Sequence, residues 1–173
     1  MPRSIRRLVQ SLALCAACAV LAPSSVYGQS LKEQLPGTWT LVSWTRVVGD
    51  VEGPAFLGQD AVGQIMFAPD GHMCFNAMRR NRSQFGSREF QGGTPEEKIA
   101  AYDSYTGYCG RYEINEQERS VVFRLELSSY PNFTGTTQKR FAEVAGNRLR
   151  ISTPPIASEG RQIVFVVVWE RAK

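Results

Sequence analysis

The stretch that decides the fold is LPGTWTLVSW, Leu35 to Trp44, where an alternation of apolar and polar residues begins. A period of two is typical of a half-buried β-strand, because successive side chains point to opposite faces. The chain has 173 residues, of which 43% are apolar and 21% are charged, the composition of a globular protein. We therefore expect one domain built mainly from strands.

From Gly37 onward, alternating runs separated by turn residues predict eight antiparallel strands. These cover residues 37–48, 62–68, 72–79, 107–115, 119–128, 136–144, 147–153 and 161–170. Short turns such as Pro69-Asp70-Gly71 join consecutive strands and force them to run antiparallel. Eight strands joined in this way predict an all-β fold, an up-and-down barrel, since closure leaves no exposed edge. A barrel of this size is either filled by side chains or holds one small ligand.

The segment between the third and fourth strands departs from the alternation. Thr94 can cap a helix, Pro95 suits its first position, and Glu97 completes a capping box. These signals predict one short α-helix that ends near residue 104. Ile99 and Tyr102 are spaced to share one face, which we expect to pack against the barrel.

The first 28 residues have the pattern of a secretory signal peptide. Three arginines precede an uncharged run over residues 8–21, and small residues follow up to Gly28. We predict cleavage after Gly28, which leaves 29–173 as the mature domain of an exported protein, periplasmic or secreted. Lipidation at Cys18 is the alternative, and it would anchor the protein to a membrane. The uncharged run itself is too short for a membrane span.

Charge and residue types exclude several classes of function. The first 28 residues hold three of the 20 basic residues and none of the 16 acidic ones, so the net charge falls from +4 to +1 without them. A value this small argues against a nucleic-acid-binding protein. His72 is the single histidine, and the sequence indicates no metal site or other cofactor. The oligomeric state stays open.

The motif Gly37-Thr38-Trp39 resembles the G-x-W signature of the lipocalins, in which Trp closes one end of the barrel under a basic residue near the last strand. Arg171 stands in the place of that partner, where a cation–π contact is favourable. The order of GQIMFAPDGHM, TPEEKIAAYDSYTGYCGRYEI, SSYPNFTGTTQKRF, GNRLRIST and VVWER is similar to a bacterial and fungal family of lipocalin-like domains.

This resemblance spans nearly all of residues 29–173 and implies an eight-stranded, calycin-type barrel. Such barrels host carriers, inhibitors and a few isomerase- or cyclase-like enzymes, so the fold alone does not fix the function. Many of these domains are expected to carry a His where this chain has Phe123. A role for an imidazole in the barrel wall is therefore unsupported.

Cys74 and Cys109 fall on the third and fourth predicted strands, which the chain order makes neighbours. Exported proteins meet an oxidising compartment, where cysteines on adjacent strands can pair. We predict a disulfide, with a reactive thiol as the alternative. If the disulfide forms, alternation places Phe75, Tyr108 and Tyr112 together on the opposite face of the sheet.

The predicted ligand contacts are mostly aromatic or apolar side chains of the inner face. They are Met66, Phe75, Tyr105, Tyr108, Tyr112, Phe123, Asn132 and Arg140, with Asn132 expected at the rim of the barrel. Tyrosine offers an apolar wall with a polar tip, which suits a small oriented ligand, although these tyrosines also fit an ordinary core. Alternation leaves the direction of Arg140 open. The simpler interpretation is outward, whereas an inward guanidinium needs an anionic partner from the protein or from a ligand.

The sequence therefore predicts an exported barrel that binds a small apolar or aromatic molecule inside. One alternative is an isomerase or cyclase acting on an apolar substrate in the same cavity, but no nucleophile–base pair points to catalytic residues. A structural envelope protein with a filled barrel is the other. If Trp39 closes one end of the barrel, any site lies toward the opposite end.

Overall fold

A computed structural model describes residues 29–158 and 160–173, so the predicted signal peptide and Cys18 lie outside the described residues. In this part of the chain ten strands form one antiparallel sheet. They are β1 (Gly37–Val48), β2 (Val51–Pro54), β3 (Val62–Phe67), β4 (His72–Met78), β5 (Tyr105–Asn115), β6 (Ser120–Ser128), β7 (Thr137–Ala145), β8 (Arg148–Ser152), β9 (Ile156–Ser158) and β10 (Arg161–Arg171).

The sheet closes into a barrel because β1 pairs with both β3 and β10. Eight of the described strands form its wall, in the order β1-β3-β4-β5-β6-β7-β8-β10. The predicted eight-stranded antiparallel barrel is therefore confirmed, and each predicted strand matches a wall strand to within about two residues. The short strands β2 and β9 extend β1 and β10 at the end of the barrel remote from Trp39.

The predicted helix is present as α2 (Pro95–Asp103), between the third and fourth strands of the wall. Its capping box forms as expected: Glu97 N–H donates to Thr94 Oγ1 (3.3 Å), and the Glu97 carboxylate accepts from Thr94 N–H (2.8 Å). The expected packing is only partial, because Tyr102 lines the barrel cavity whereas Ile99 is 61% exposed and no α2 residue is buried. A second helix, α1 (Leu31–Gln34), and a 3-10 turn over Pro131–Phe133 complete the described elements. No helix among residues 29–158 and 160–173 is long and apolar enough to cross a bilayer.

Trp39 closes one end of the barrel, and its side chain is fully buried. Its indole N–H donates to the Leu35 carbonyl at 2.9 Å. The Arg171 guanidinium lies over the ring, with Cζ 4.1 Å from the ring centroid, and the two residues are paired between β1 and β10. Arg171 also donates to the carbonyls of Pro36 and Gln34. The last strand thus holds the segment after α1 across the closed end.

Gly37 is required where this segment enters the barrel. Its φ of +128° lies in a region that side chains disfavour, and a Cβ built there would approach Arg171 Nη1 to 2.9 Å. The G-x-W spacing therefore combines a backbone that only glycine adopts without strain with the aromatic ring that the arginine covers.

The predicted disulfide is confirmed. Cys74 and Cys109 are directly paired between β4 and β5, with Cα atoms 4.1 Å apart, and their sulfur atoms are bonded. Met73 and Phe75 flank Cys74 and are buried, which places the disulfide on the outer face and those two side chains inside. The disulfide therefore ties two wall strands together without occupying the interior.

Candidate ligand-binding site

The barrel encloses a cavity of about 440 Å³ toward the end remote from Trp39. This volume lies in the range of small-molecule sites. More than half of the lining side chains are aromatic: Trp44, Phe56, Phe75, Tyr102, Tyr108, Phe123, Tyr130, Phe133, Phe165 and Trp169. The others are Ile65, Asp103, Thr106, Arg140, Ile151, Ser152, Thr153, Ile156 and Val167. The interior is therefore not filled at this end, and its surface is mainly apolar.

Phe75 organises the inner wall of the cavity. Its ring centroid lies 4.8 Å from that of Tyr108, 5.7 Å from that of Trp44 and 5.8 Å from that of Trp169. The contacts with the two tryptophans are edge to face, one of the arrangements that aromatic pairs prefer. Each ring thus packs against its neighbours, and together they form a continuous aromatic wall.

The mouth of the cavity is formed by side chains that remain partly exposed. Phe56, Tyr102, Tyr130 and Ile156 line the cavity and are 54%, 51%, 43% and 42% exposed. They come from the loop before β3, from α2, from the loop after β6 and from β9. Apolar surface therefore continues from the interior to the solvent, as an entry path for an apolar molecule requires.

A β-bulge determines which tryptophans reach the cavity. Trp39 and Trp44 are five residues apart on β1, so strict alternation would place them on opposite faces. The register between β1 and β10 shifts between Leu41 and Ser43, and Trp44 then pairs with Val167. Because one extra residue reverses the parity of a strand, Trp44 turns inward.

Arg140 faces into the barrel, so the simpler outward interpretation is wrong. It pairs with the fully buried Val121 across β6 and β7, and directly paired residues project to the same face. Its guanidinium lies 5.9 Å from the Phe123 ring centroid and donates to the Lys139 carbonyl (2.8 Å) and to the Gln138 side chain. None of the described carboxylates lies within ion-pair distance of it.

Tyr108 is the titratable neighbour of this guanidinium. Burial raises the pKa of the Tyr108 hydroxyl, and the positive charge of Arg140 opposes that rise. Because the net shift is upward from 10.0, the hydroxyl stays protonated at neutral pH and can donate a hydrogen bond. Arg140 and Tyr108 therefore place a cation and a neutral donor side by side in the aromatic wall.

The structure brings together four of the predicted contacts, namely Phe75, Tyr108, Phe123 and Arg140, all of which line the cavity. The remaining four, Met66, Tyr105, Tyr112 and Asn132, are not among the lining residues.

Met66 lies on the outer face of β3 and is 41% exposed, because its neighbours Ile65 and Phe67 are the buried ones. Tyr105 is also outside, where its hydroxyl donates to the Asn76 side chain. Tyr112 packs against Phe67, away from the cavity, and donates to the Ala68 carbonyl at 2.9 Å. Asn132 is exposed and donates to the Tyr130 hydroxyl at 3.1 Å.

Several lining residues were missed by sequence reasoning. Phe165, Val167 and Trp169 alternate along β10, and this period of two was the signal that could have found them. Phe56 comes from a loop, for which alternation gives no information.

Two of the lining tryptophans carry an unsatisfied donor. The indole N–H groups of Trp44 and Trp169 are buried, and neither has an acceptor among the described residues. Buried polar groups are nearly always paired, so such groups call for an explanation. Both lie in the cavity-forming part of the barrel, whereas the Trp39 N–H at the closed end is satisfied.

A family model described as a lipocalin-like domain matches residues 36–172. The chain is also similar to the 4'-hydroxy-3'-methoxypropiophenone carrier protein of Aspergillus oryzae, with 33% identity over 106 residues. That match covers 57% of this chain and 96% of the relative. No solved structure is significantly similar to the chain.

Proposed function

The chain belongs to the lipocalin-like domain family, and we propose that it is a carrier that binds a small aromatic molecule in the barrel cavity. The observation that carries this proposal is the cavity of about 440 Å³ with its largely aromatic lining. A preformed apolar cavity with a few polar groups is the usual form of a small-molecule site. The carrier name of the fungal relative supports the same function.

The proposed contacts are the interlocked rings of the wall. Phe75, Tyr108 and Phe123 offer faces and edges against which a planar ligand can stack, and they are already held in place by one another. Little side-chain freedom is lost when such a site fills, which favours affinity. The partly exposed rings at the mouth would cover the ligand after it enters.

The first test is a calorimetric titration with 4'-hydroxy-3'-methoxypropiophenone, the molecule named for the relative. Thr106→Trp adds an indole to a cavity-lining position, and we expect it to lower the affinity by about tenfold or more, a loss of 1.4 kcal/mol or more. Met66→Trp adds the same group to the outer face, where the affinity should stay within about twofold, less than 0.5 kcal/mol. Equal losses in both variants, or no binding by the wild type to this ketone or to a panel of similar-sized aromatics, would contradict the proposal.

The same titration separates a carrier from an enzyme. Chromatography of the ligand recovered after a long incubation should return it unchanged if the protein only binds and releases it. A new product whose amount grows with time and with protein concentration would favour the isomerase or cyclase alternative.

Export is the second part of the proposal. The signal-like pattern of residues 1–28 motivates it, and the Cys74–Cys109 disulfide supports it because such bonds persist in oxidising compartments. Cell fractionation of the full chain with a C-terminal tag should recover a shortened soluble form outside the cytoplasm. Retention of the whole chain in the cytoplasm would contradict export, and membrane association that Cys18→Ala abolishes would indicate lipidation instead.

A further inference from the structure

A cation inside an aromatic cavity requires an explanation. Arg140 is the one lysine or arginine among the described lining residues, and it lies against the Phe123 ring. Removing a charge from water is costly unless an opposite charge and good hydrogen bonds compensate for it. The protein supplies no opposite charge among its described residues, because the partners of the guanidinium are its strand neighbours Gln138 and Lys139 and the neutral Tyr108 hydroxyl.

Asp103 is the one carboxylate residue among the described residues that line the cavity. It forms no ion pair with Arg140, and it stands where α2 joins β5, at the end of β5 that pairs with the last residue of β4. Glu113, Glu118 and Glu126 are paired with other cations on the outside of the barrel. The positive charge of Arg140 is therefore not neutralised by any described side chain at ion-pair distance.

Three other polar groups of the wall are donors that face the cavity region. The Tyr108 hydroxyl next to Arg140 is protonated, and the buried N–H groups of Trp44 and Trp169 lack acceptors. A guanidinium has five N–H groups, of which the strand neighbours take up two. A ligand with acceptor oxygens would satisfy these donors, and the charge of Arg140 favours an oxygen that is negative.

Resting on the proposed carrier function, we infer that the natural ligand is an aromatic carboxylate whose ring stacks in the cavity and whose carboxylate pairs with Arg140 and the Tyr108 hydroxyl. An Arg–carboxylate pair is stronger than a neutral hydrogen bond, and the planar guanidinium can meet both carboxylate oxygens. The aromatic wall then supplies most of the buried area, while the ion pair fixes which end of the ligand points inward.

The test compares three probes of nearly equal size by calorimetry: 3-phenylpropanoate, its methyl ester and 3-phenylpropylamine. The wild type should bind the acid most tightly, then the ester and last the amine. Arg140→Met should weaken the acid by roughly 10- to 100-fold, as expected for a hydrogen bond to a charged group, and leave the ester within about threefold. The preference for the acid over the ester would then disappear.

Arg150→Met is the matched control, since it removes the same charge from an exposed position on the outside of β8. It should leave both affinities unchanged, which separates a local ion pair from the attraction of the whole protein for anions. Arg140→Gln removes the charge but keeps hydrogen-bonding groups, and it serves if the Met variant does not fold. Loss of the acid preference in either folded variant supports the inference.

The outcomes distinguish this inference from the proposed function. If the acid binds no better than the ester, or if Arg140→Met and Arg140→Gln weaken both equally, the carboxylate assignment is wrong while the carrier function stands. If none of the three probes binds and the propiophenone and aromatic panel also fail, the carrier function itself is wrong.

Discussion

Each end of the barrel places an arginine against an aromatic ring, but the two arginines differ in their hydrogen-bond partners. At the closed end, Arg171 lies 4.1 Å from the Trp39 ring centroid and donates to carbonyls of the segment that it holds. At the cavity end, Arg140 lies 5.9 Å from the Phe123 ring centroid and donates to its strand neighbours Gln138 and Lys139, with the neutral Tyr108 hydroxyl beside it. The first arrangement stabilises the fold, and the second leaves a charge available for a ligand.

The tryptophans repeat this difference. The Trp39 N–H donates to a backbone carbonyl, whereas those of Trp44 and Trp169 have no described acceptor. Proteins leave polar groups unsatisfied in the interior chiefly where another molecule, an ordered water or a functional constraint accounts for them. Unsatisfied polar groups therefore distinguish the cavity end of this barrel from the closed end, although both are rich in aromatic residues.

Trp39→Ala should give the largest effect at the closed end. Truncating a fully buried aromatic side chain creates a cavity and loses its contacts, so we expect the free energy of unfolding to fall by about 3–5 kcal/mol. Phe56→Ala at the mouth of the cavity is the control, since that ring is 54% exposed and should cost no more than about 1.5 kcal/mol. Urea unfolding with the disulfide intact measures both. Similar losses would show that the two ends contribute equally to stability.

Gly37→Ala tests whether the closed end depends on the positive φ of Gly37 and the close approach of Arg171. Backbone strain and the contact with Nη1 should cost about 1–3 kcal/mol. Gly53→Ala in β2 adds the same methyl group where nothing lies within 4 Å, and it should change the stability by less than about 0.5 kcal/mol. The comparison uses the same unfolding assay, and equal costs would remove the steric explanation of the G-x-W spacing.

Arg171→Met and Arg140→Met test the two arginines directly. Loss of Arg171 removes a cation–π contact and leaves two carbonyls without their donor, so we expect a cost of about 1–2 kcal/mol. Loss of Arg140 removes favourable contacts, but it also removes a partly buried charge that has no ion-pair partner. Because these two effects oppose each other, the free energy of unfolding should change by no more than about 1 kcal/mol. Thermal and urea unfolding measure the stability of both variants. A larger loss in Arg140→Met than in Arg171→Met would show that Arg140 serves mainly to stabilise the fold.

Local sequence signals were sufficient to predict the wall of the barrel and the helix. Alternation and turn residues placed the eight wall strands, and the capping box placed α2, because these features depend on near neighbours in the chain. The disulfide followed from the order of the strands. The packing of α2 followed only in part, since Tyr102 reaches the mouth of the cavity whereas Ile99 on the same helical face stays exposed.

The cavity was only half predictable, because long-range register decides which way a side chain points. Ile65, Met66 and Phe67 are all apolar, so alternation could not show that Met66 is the outward one. The bulge in β1 turned Trp44 inward. A second register shift, opposite Cys109 and Gly110, leaves Leu127 68% exposed although Leu125 on the same strand is buried. A bulge has no clear mark in a single sequence, and neither does a loop side chain such as Phe56 that reaches the cavity.

The smallest expected effect is a pH dependence of the stability, which arises from the partly buried Tyr108 and Tyr112 and not from Trp39 at the closed end. Burial raises the pKa of Tyr108 above 10.0, so in alkaline solution the folded protein keeps a proton that the unfolded chain loses. The folded state then binds more protons, and the free energy of unfolding falls as the pH rises above 10. Burial and the Asp70 charge raise the pKa of Tyr112 as well, so that residue contributes with the same sign.

Tyr108→Phe should therefore reduce this alkaline decline, by at most about 1.4 kcal/mol per pH unit for one group. Trp39→Phe carries no titrating group and should lower the stability at every pH without changing the slope. Brief urea unfolding series between pH 8 and pH 11 measure both variants. An unchanged slope in Tyr108→Phe would mean that water already reaches that hydroxyl, and the cavity wall would then be less protected from solvent than its aromatic lining implies.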